Sequence, residues 1–264
     1  MATPPPPPVH ALTSPAMRKR TLPALLGLSL LGLGAWVNAA SAQALIEPLF
    51  SIWDVTLGQP VSHLPDADVA EIACGTAGGP PGQKLASFQD FQSCAPEPSG
   101  LFEVQFIYDD EQDYIARALE MEYQFLRGGT SVYAHAVIVS VLVDPDGIVQ
   151  GRRIVTDDRV TDLARRSAYT LINNFKARHR EWSLECSDIP MQEGELPVGN
   201  EFVHENCTGQ SPDGGTLLAI ESSYLRKKGQ IAINQQTQQV NVGYFESQTR
   251  YEEVRSPYSP AIAP

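Results

Sequence analysis

Residues 17–42 have the layout of an export leader, which decides how much of the chain must fold and in what redox environment. Arg18, Lys19 and Arg20 form a positive front. Leu22–Val37 is apolar apart from Pro23, Ser29 and some glycines, and Ala40-Ser41-Ala42 gives the small-x-small pattern of a cleavage site. The apolar stretch is shorter than about 18 uninterrupted residues, so cleavage is expected and no transmembrane anchor should remain. Residues 1–16 hold Pro4–Pro8 and no Lys or Arg. A start at Met17 would give the compact leader, and Met1 and Met17 both stand as initiators. No cysteine lies near the cleavage site, which excludes a lipid anchor there.

The mature chain is then Gln43–Pro264, the 264 residues less the 42 of the leader. That length supports one sizeable core or two small ones. The leader holds three of the 19 basic residues and none of the 31 acids, which leaves the mature part at −15. Such a charge repels nucleic acid and anionic lipid at long range. All four cysteines, Cys74, Cys94, Cys186 and Cys207, fall in the mature part. In an oxidising compartment they are expected to form two disulfides, with three connectivities open. The local pairing closes loops of about twenty residues, each stabilising by roughly 3 kcal/mol. A metal site would need closely spaced ligands, and that spacing is missing.

Patterning suggests an α+β fold, an antiparallel sheet with helices packed on one face and disulfide-stapled loops. Ile52–Leu57 reads as a short strand and Asp66–Ala73 as a brief helix capped by Asp66. The Gly- and Pro-rich loop Cys74–Gly100 carries a cysteine at residue 74 and another at 94. Phe102–Tyr108 alternates as a strand, and Glu111–Arg127 has helical spacing with Asp110 and Asp113 at its start. Val137–Val143 and Ile148–Val155 form a hairpin about Asp144-Pro145-Asp146-Gly147. Thr161–His179 carries the strongest helical stripe. Further strands are expected at Ser183–Cys186, Glu201–Cys207, Thr216–Tyr224 and Val242–Val254, with Lys227–Gln239 polar and glutamine-rich between the last two. The organisation expected is a leader at 1–42, an α+β domain at 43–180, a β-rich part at 181–255 joined to it or separate, and a tail at 256–264.

Few motifs in the chain carry chemistry. Gly75–Lys84 resembles a phosphate loop, but Gln83 intervenes before the lysine and Leu85 replaces the hydroxyl residue. No nucleophile elbow, zinc helix or calcium-loop spacing occurs. No cofactor is implied. Asp109, Asp110, Glu111 and Asp113 are explained by a helix N-terminus, where negative charge is stabilising. His63, His135, His179 and His204 are scattered. The unusual feature is charge segregation, with 14 acids and two bases in Gln43–Phe125 and eight bases against three acids in Arg152–Arg180. Arg152, Arg153, Arg165 and Arg166 are therefore the candidate binding residues, for an anionic envelope ligand or an acidic protein partner. The alternative is that these bases answer the acidic half within the molecule.

The stretches Ile72-Ala73-Cys74-Gly75-Thr76-Ala77-Gly78-Gly79-Pro80-Pro81 and Cys94-Ala95-Pro96-Glu97-Pro98-Ser99-Gly100, with the hairpin and Tyr224-Leu225-Arg226-Lys227, resemble exported alphaproteobacterial proteins of no assigned activity. The resemblance implies a Gram-negative periplasmic location and nothing catalytic. Leu57-Gly58-Gln59-Pro60 and the elements after it are more distantly similar to envelope domains of the outer-membrane assembly lipoprotein type, a likeness of fold only. The expected function is a non-enzymatic periplasmic or secreted binding protein. The alternatives are a hydrolase assembled from His63, His135, His204, Asp109 and Asp110, or a structural envelope component.

Overall fold

The computed structural model describes residues 50–107, 130–160, 165–233, 238–241 and 243–261. The leader and the helix expected at Glu111–Arg127 lie outside these. Thirteen strands are described: β1 Glu71–Cys74, β2 Lys84–Leu85, β3 Phe102–Ile107, β4 Ser131–Val132, β5 His135–Val143, β6 Val149–Thr156, β7 Glu185–Asp188, β8 Glu195–Leu196, β9 Val203–Gln210, β10 Thr216–Lys227, β11 Ala232–Ile233, β12 Val240–Asn241 and β13 Glu246–Arg255. Eleven form one antiparallel sheet in the order β2-β1-β3-β5-β6-β13-β10-β9-β7, with β4 on β5 and β8 on β10; β11 and β12 pair separately.

The α+β expectation is corrected. The molecule is mostly β, and its helical content among the described residues is one stretch plus short 3-10 turns, with no layer of helices on a sheet face. That stretch is a 3-10 turn at Ala168–Thr170 running into α1, Leu171–Arg178. Sheet side chains serve the backbone just before α1. Ser222 Oγ donates to Tyr169 O at 2.7 Å, Thr249 Oγ1 donates to Ala168 O at 2.8 Å, and Ser247 Oγ accepts from Tyr169 N at 3.1 Å. With its peptide groups bonded to β10 and β13, this part takes a 3-10 turn in place of the regular helix expected.

Two smaller readings change for similar reasons. Ile52–Asp54 is a 3-10 turn, not a strand, because Ser51 and Asp54 cap one another reciprocally. Asp66 does not start a helix to Ala73: its carboxylate accepts from Ser87 Oγ and Phe88 N across the fold, at 2.8 and 2.9 Å, and the chain goes on into β1. The hairpin forms as the sequence suggests. Asp144 Oδ1 accepts from Asp146 N and Ile148 N at 3.0 and 2.9 Å, an Asx-type turn, while Gly147 supplies φ 78°.

One cross-strand row explains the core. Leu85, Ile72, Phe106, Val139, Ile154, Tyr251, Ile220, Cys207 and Cys186 are successive register partners across nine strands. Seven of them are apolar or aromatic and the last two form a disulfide. Period-two alternation puts the next row on the opposite face. That row reads Ala73, Gln105, Ser140, Arg153, Glu252, Ala219, Thr208 and Glu185. The first face buries Ile52, Phe88, Phe91, Leu171 and Phe175. The second is polar yet also covered, with Gln105, Ser140, Arg153 and Glu252 all at 2% exposure or less.

Both disulfides take the local pairing, Cys74–Cys94 and Cys186–Cys207. The first ties down the loop that covers the polar face. Ala77 N donates to Glu103 Oε2 at 2.6 Å and Ala77 O accepts from Arg250 at 2.8 Å. Gly78, at φ +88°, lies so close to Val155 that an added Cβ would sit 2.6 Å from its side chain. The phosphate-loop lookalike is thus a cover over the sheet, and its glycines permit close approach.

Candidate functional site

Arg152 and Arg153 are neighbours on β6 and project to opposite faces. Arg153 enters the polar face, where its guanidinium meets Glu97 at 2.6 Å, Glu103 at 2.9 Å and Glu252 at 2.9 Å. Burial works against this charge, but the carboxylates outweigh it and hold the guanidinium's pKa above its ordinary value. Arg250 joins the group, 3.2 Å from Glu252. Arg152 enters the apolar face, bonds Glu253 at 2.8 Å and lies over the Trp53 ring at 5.1 Å. Arg165 is buried against Tyr244 and Phe245, at 4.3 and 4.8 Å from the ring centres. Arg166 is exposed. Three of the four candidate arginines are therefore built into the interior. Arg153 answers Glu97 and Glu103 from the acid-rich N-terminal half.

Around Arg152 is the closest approach to a chemical site. Tyr251 OH donates to Glu253, which also accepts from Arg152, and His179 Nε2 lies 3.0 Å from the Tyr251 oxygen. The phenol proton is committed to Glu253, so His179 must donate through Nε2–H and is neutral in the tautomer that leaves Nδ1 unprotonated. Burial pushes the His179 pKa down to about 4, with Glu253 opposing and Arg178 and Arg152 assisting. Burial and Glu253 drive the Tyr251 pKa well above its usual value. Glu253 would be raised by burial, but Arg152 prevails and lowers it. The four groups form a linked acid–base chain, sealed by the Trp182 ring against His179 at 4.6 Å and by Phe175 against Tyr251 at 4.6 Å. His179 and Tyr251 are 5% and 0% exposed, so a substrate atom has no approach in this conformation.

The other histidines do not converge. His63 sits beside the β5–β6 turn, where Val61 N bonds Gly147 O, whereas His135 starts β5, about eight residues or roughly 26 Å away along the strand. His204 is on β9, separated from β5 by the three strands β6, β13 and β10, and lies between Glu195 at 3.7 Å and Glu221 at 3.4 Å. Asp109 and Asp110 lie outside the described residues. Cys186, Glu205 and Cys207 cluster as metal ligands would, but both sulfurs are spent in the disulfide. A cavity of about 340 Å³ beside Gln105, Ser131 and Ile138 has Asp157 and Arg159 at its border, paired with each other at 2.7 Å.

One surface feature was not legible from hydropathy. Of the six large apolar side chains exposed among the described residues, Tyr133, Met191, Leu196, Ile231, Ile233 and Val240, five come from two segments that meet at the end of β10. There Arg226 pairs in register with Leu196, Lys227 with Glu195, and Lys228 N bonds Gly194 O. Ile233 and Val240 are register partners in the β11–β12 hairpin and so share a face. Their neighbours Asn234–Gln239 make the segment read as polar, which hid them. The buried Glu103, Glu252, Tyr251 and Glu253 were also missed. Their available signal was charge and hydroxyl alternating within strongly β-prone runs. No helix among the described residues is long and apolar enough to cross a membrane. No family model, curated protein or solved structure matches the chain.

Proposed function

We propose that this chain is an exported, non-enzymatic binding protein of the cell envelope, acting in the periplasm. The observation that carries the reading is the gathering of exposed aliphatic side chains at the end of β10, on a protein whose buried arginines are matched from within. Clustered exposed apolar surface marks interaction sites. Two disulfides are typical of extracytoplasmic proteins. The ligand is an anionic envelope component or an acidic protein, since Arg226, Lys227 and Lys228 stand beside the aliphatic groups.

A hydrolase reading would draw on His179, Tyr251 and Glu253, where perturbed acids and bases meet. Their enclosure by Trp182 and Phe175 favours a structural role. The test mixes oxidised mature protein with washed inner membrane, outer membrane, peptidoglycan and soluble periplasm, and measures retention. Saturable retention by one of these, lost when the disulfides are reduced, is expected, and Arg166→Glu measures the share of the exposed arginine. Failure to be retained by any fraction would remove the binding reading. Turnover of ester or peptide substrates that His179→Gln abolishes would install the hydrolase in its place.

A further inference from the structure

We infer that the cavity between β3, β4 and β5 binds a small neutral molecule, mostly apolar, that carries a hydroxyl group. It is built from other elements than the end of β10 and goes beyond the binding reading given there. Strand register puts its lining on one face. Gln105 is the partner of Ser140, and Ile138 and Ala136 follow back along β5 at two-residue steps. Ser131 is the partner of Ala136 and Val155 of Ile138, with Asp157 two residues beyond Val155. Gln105, Ser131, Ala136, Ile138 and Asp157 therefore project to the same side, and all five border the space of about 340 Å³. That volume lies at the lower end of the roughly 300–1,000 Å³ usual for small-molecule sites.

One buried atom says what the occupant must offer. Gln105 is 2% exposed, and its Oε1 has no hydrogen-bond partner. Native interiors seldom leave such an acceptor unpaired, because it forfeits its bonds to water and gains none in return. A hydroxyl placed in the cavity completes it in either orientation of the amide, since it both donates and accepts. Ile107, Ile138 and Val160 supply apolar lining. The two charged lining residues, Asp157 and Arg159, answer each other: Arg159 Nε donates to Oδ1 at 2.8 Å and Nη2 to Oδ2 at 2.7 Å. With that fork closed, a charged ligand finds no free counter-charge among the described lining residues, which selects a neutral one.

The experiment titrates para-ethylphenol, para-ethyltoluene and the para-ethylbenzoate anion into oxidised mature protein. Amide nitrogen–proton spectra, with the Gln105 side-chain amide included, follow the binding. Saturable shifts confined to residues 105–107, 131 and 136–138 are expected with the phenol, and binding about tenfold weaker or worse with the other two. Gln105→Leu should invert the first preference and hold para-ethyltoluene more tightly than the phenol. Ala136→Leu, which fills the space, should abolish binding of both. The comparison of the three compounds on the wild type decides the matter even where a variant fails to fold. No saturable binding, or shifts elsewhere, shows a space filled by water alone and overturns the inference. Binding of the toluene or the benzoate as tight as that of the phenol overturns the assignment to a neutral hydroxyl compound. Retention by envelope fractions should be untouched by Ala136→Leu, so this site and the end of β10 stand or fall separately.

Discussion

Tyr251 and Glu253 stand two residues apart on β13, so strand alternation points both into the apolar face, where the phenol donates to the carboxylate. Between them Glu252 points the other way and meets Arg153. A single tripeptide therefore supplies both buried polar clusters, one on each side of the sheet.

The Arg153 cluster predicts a large and asymmetric effect of mutation. Arg153→Met leaves Glu97, Glu103 and Glu252 facing one another without their central cation. A loss of about 3–5 kcal/mol is expected in urea unfolding at neutral pH. Replacing Glu97, whose side chain is 17% exposed, should cost less, because water can take its place.

Acid should weaken the fold through His179. Its pKa is near 6.5 in the unfolded chain and about 4 in the folded one. Between these values the unfolded chain binds the proton and the native state does not, so stability falls as pH drops from 6.5 to 4 and levels off below that. Glu253, with its pKa lowered in the fold, adds a loss of the same sign at lower pH. His135, also lowered by burial, contributes in the same sense. His179→Gln should flatten the upper part of this slope, read as the change in urea midpoint between pH 7 and pH 5.

Neither cluster could be read from the sequence, though much of the frame could. The β5–β6 hairpin was legible because Val137–Val143 is apolar on both faces and Asp144–Gly147 carries its own turn chemistry. The two cysteine pairs were legible as local loops, though not as the sole connectivity. The acid-rich half and the basic run are visible as composition, and their segregation leaves open both a binding face and an answer to one another within the molecule; Arg153 takes the second with Glu97 and Glu103. Nothing local says that a strand arginine will meet glutamates 50, 56 and 99 residues away. Of the helix expected at Thr161–His179, residues 161–164 lie outside the described residues; Ala168–Thr170 departs from a regular helix because Ser222, Ser247 and Thr249 compete for its peptide groups, which an apolar stripe does not reveal.

The loop over the polar face depends on its staple. Cys74→Ser/Cys94→Ser opens a loop of 20 residues, and a loss of about 3 kcal/mol is expected by thermal unfolding of the oxidised protein. The same variant should let the amides of Ala77 and its neighbours exchange faster, since the cover is held by few other bonds.

Gly78 offers a sharper probe of the same contact. Gly78→Ala forces a side chain onto a backbone at φ +88° and into Val155. A destabilisation of about 1–3 kcal/mol is expected, with hydrogen exchange rising at residues 76–79. An equal melting temperature for this variant would show that the loop does not seat on β6.

The covalent ties stand near opposite margins of the eleven-stranded sheet, one at β1 and the other joining β9 to the outermost β7. A sheet frays most cheaply by shedding outer strands in turn, since each departure sacrifices a single ladder. Here unzipping from either side meets a sulfur bridge within the first two strands. Oxidised copies accordingly present only the short outer strands β2 and β7 at their margins, whereas a reductant lets β7 leave and bares the longer β9, along which neighbouring molecules can knit together.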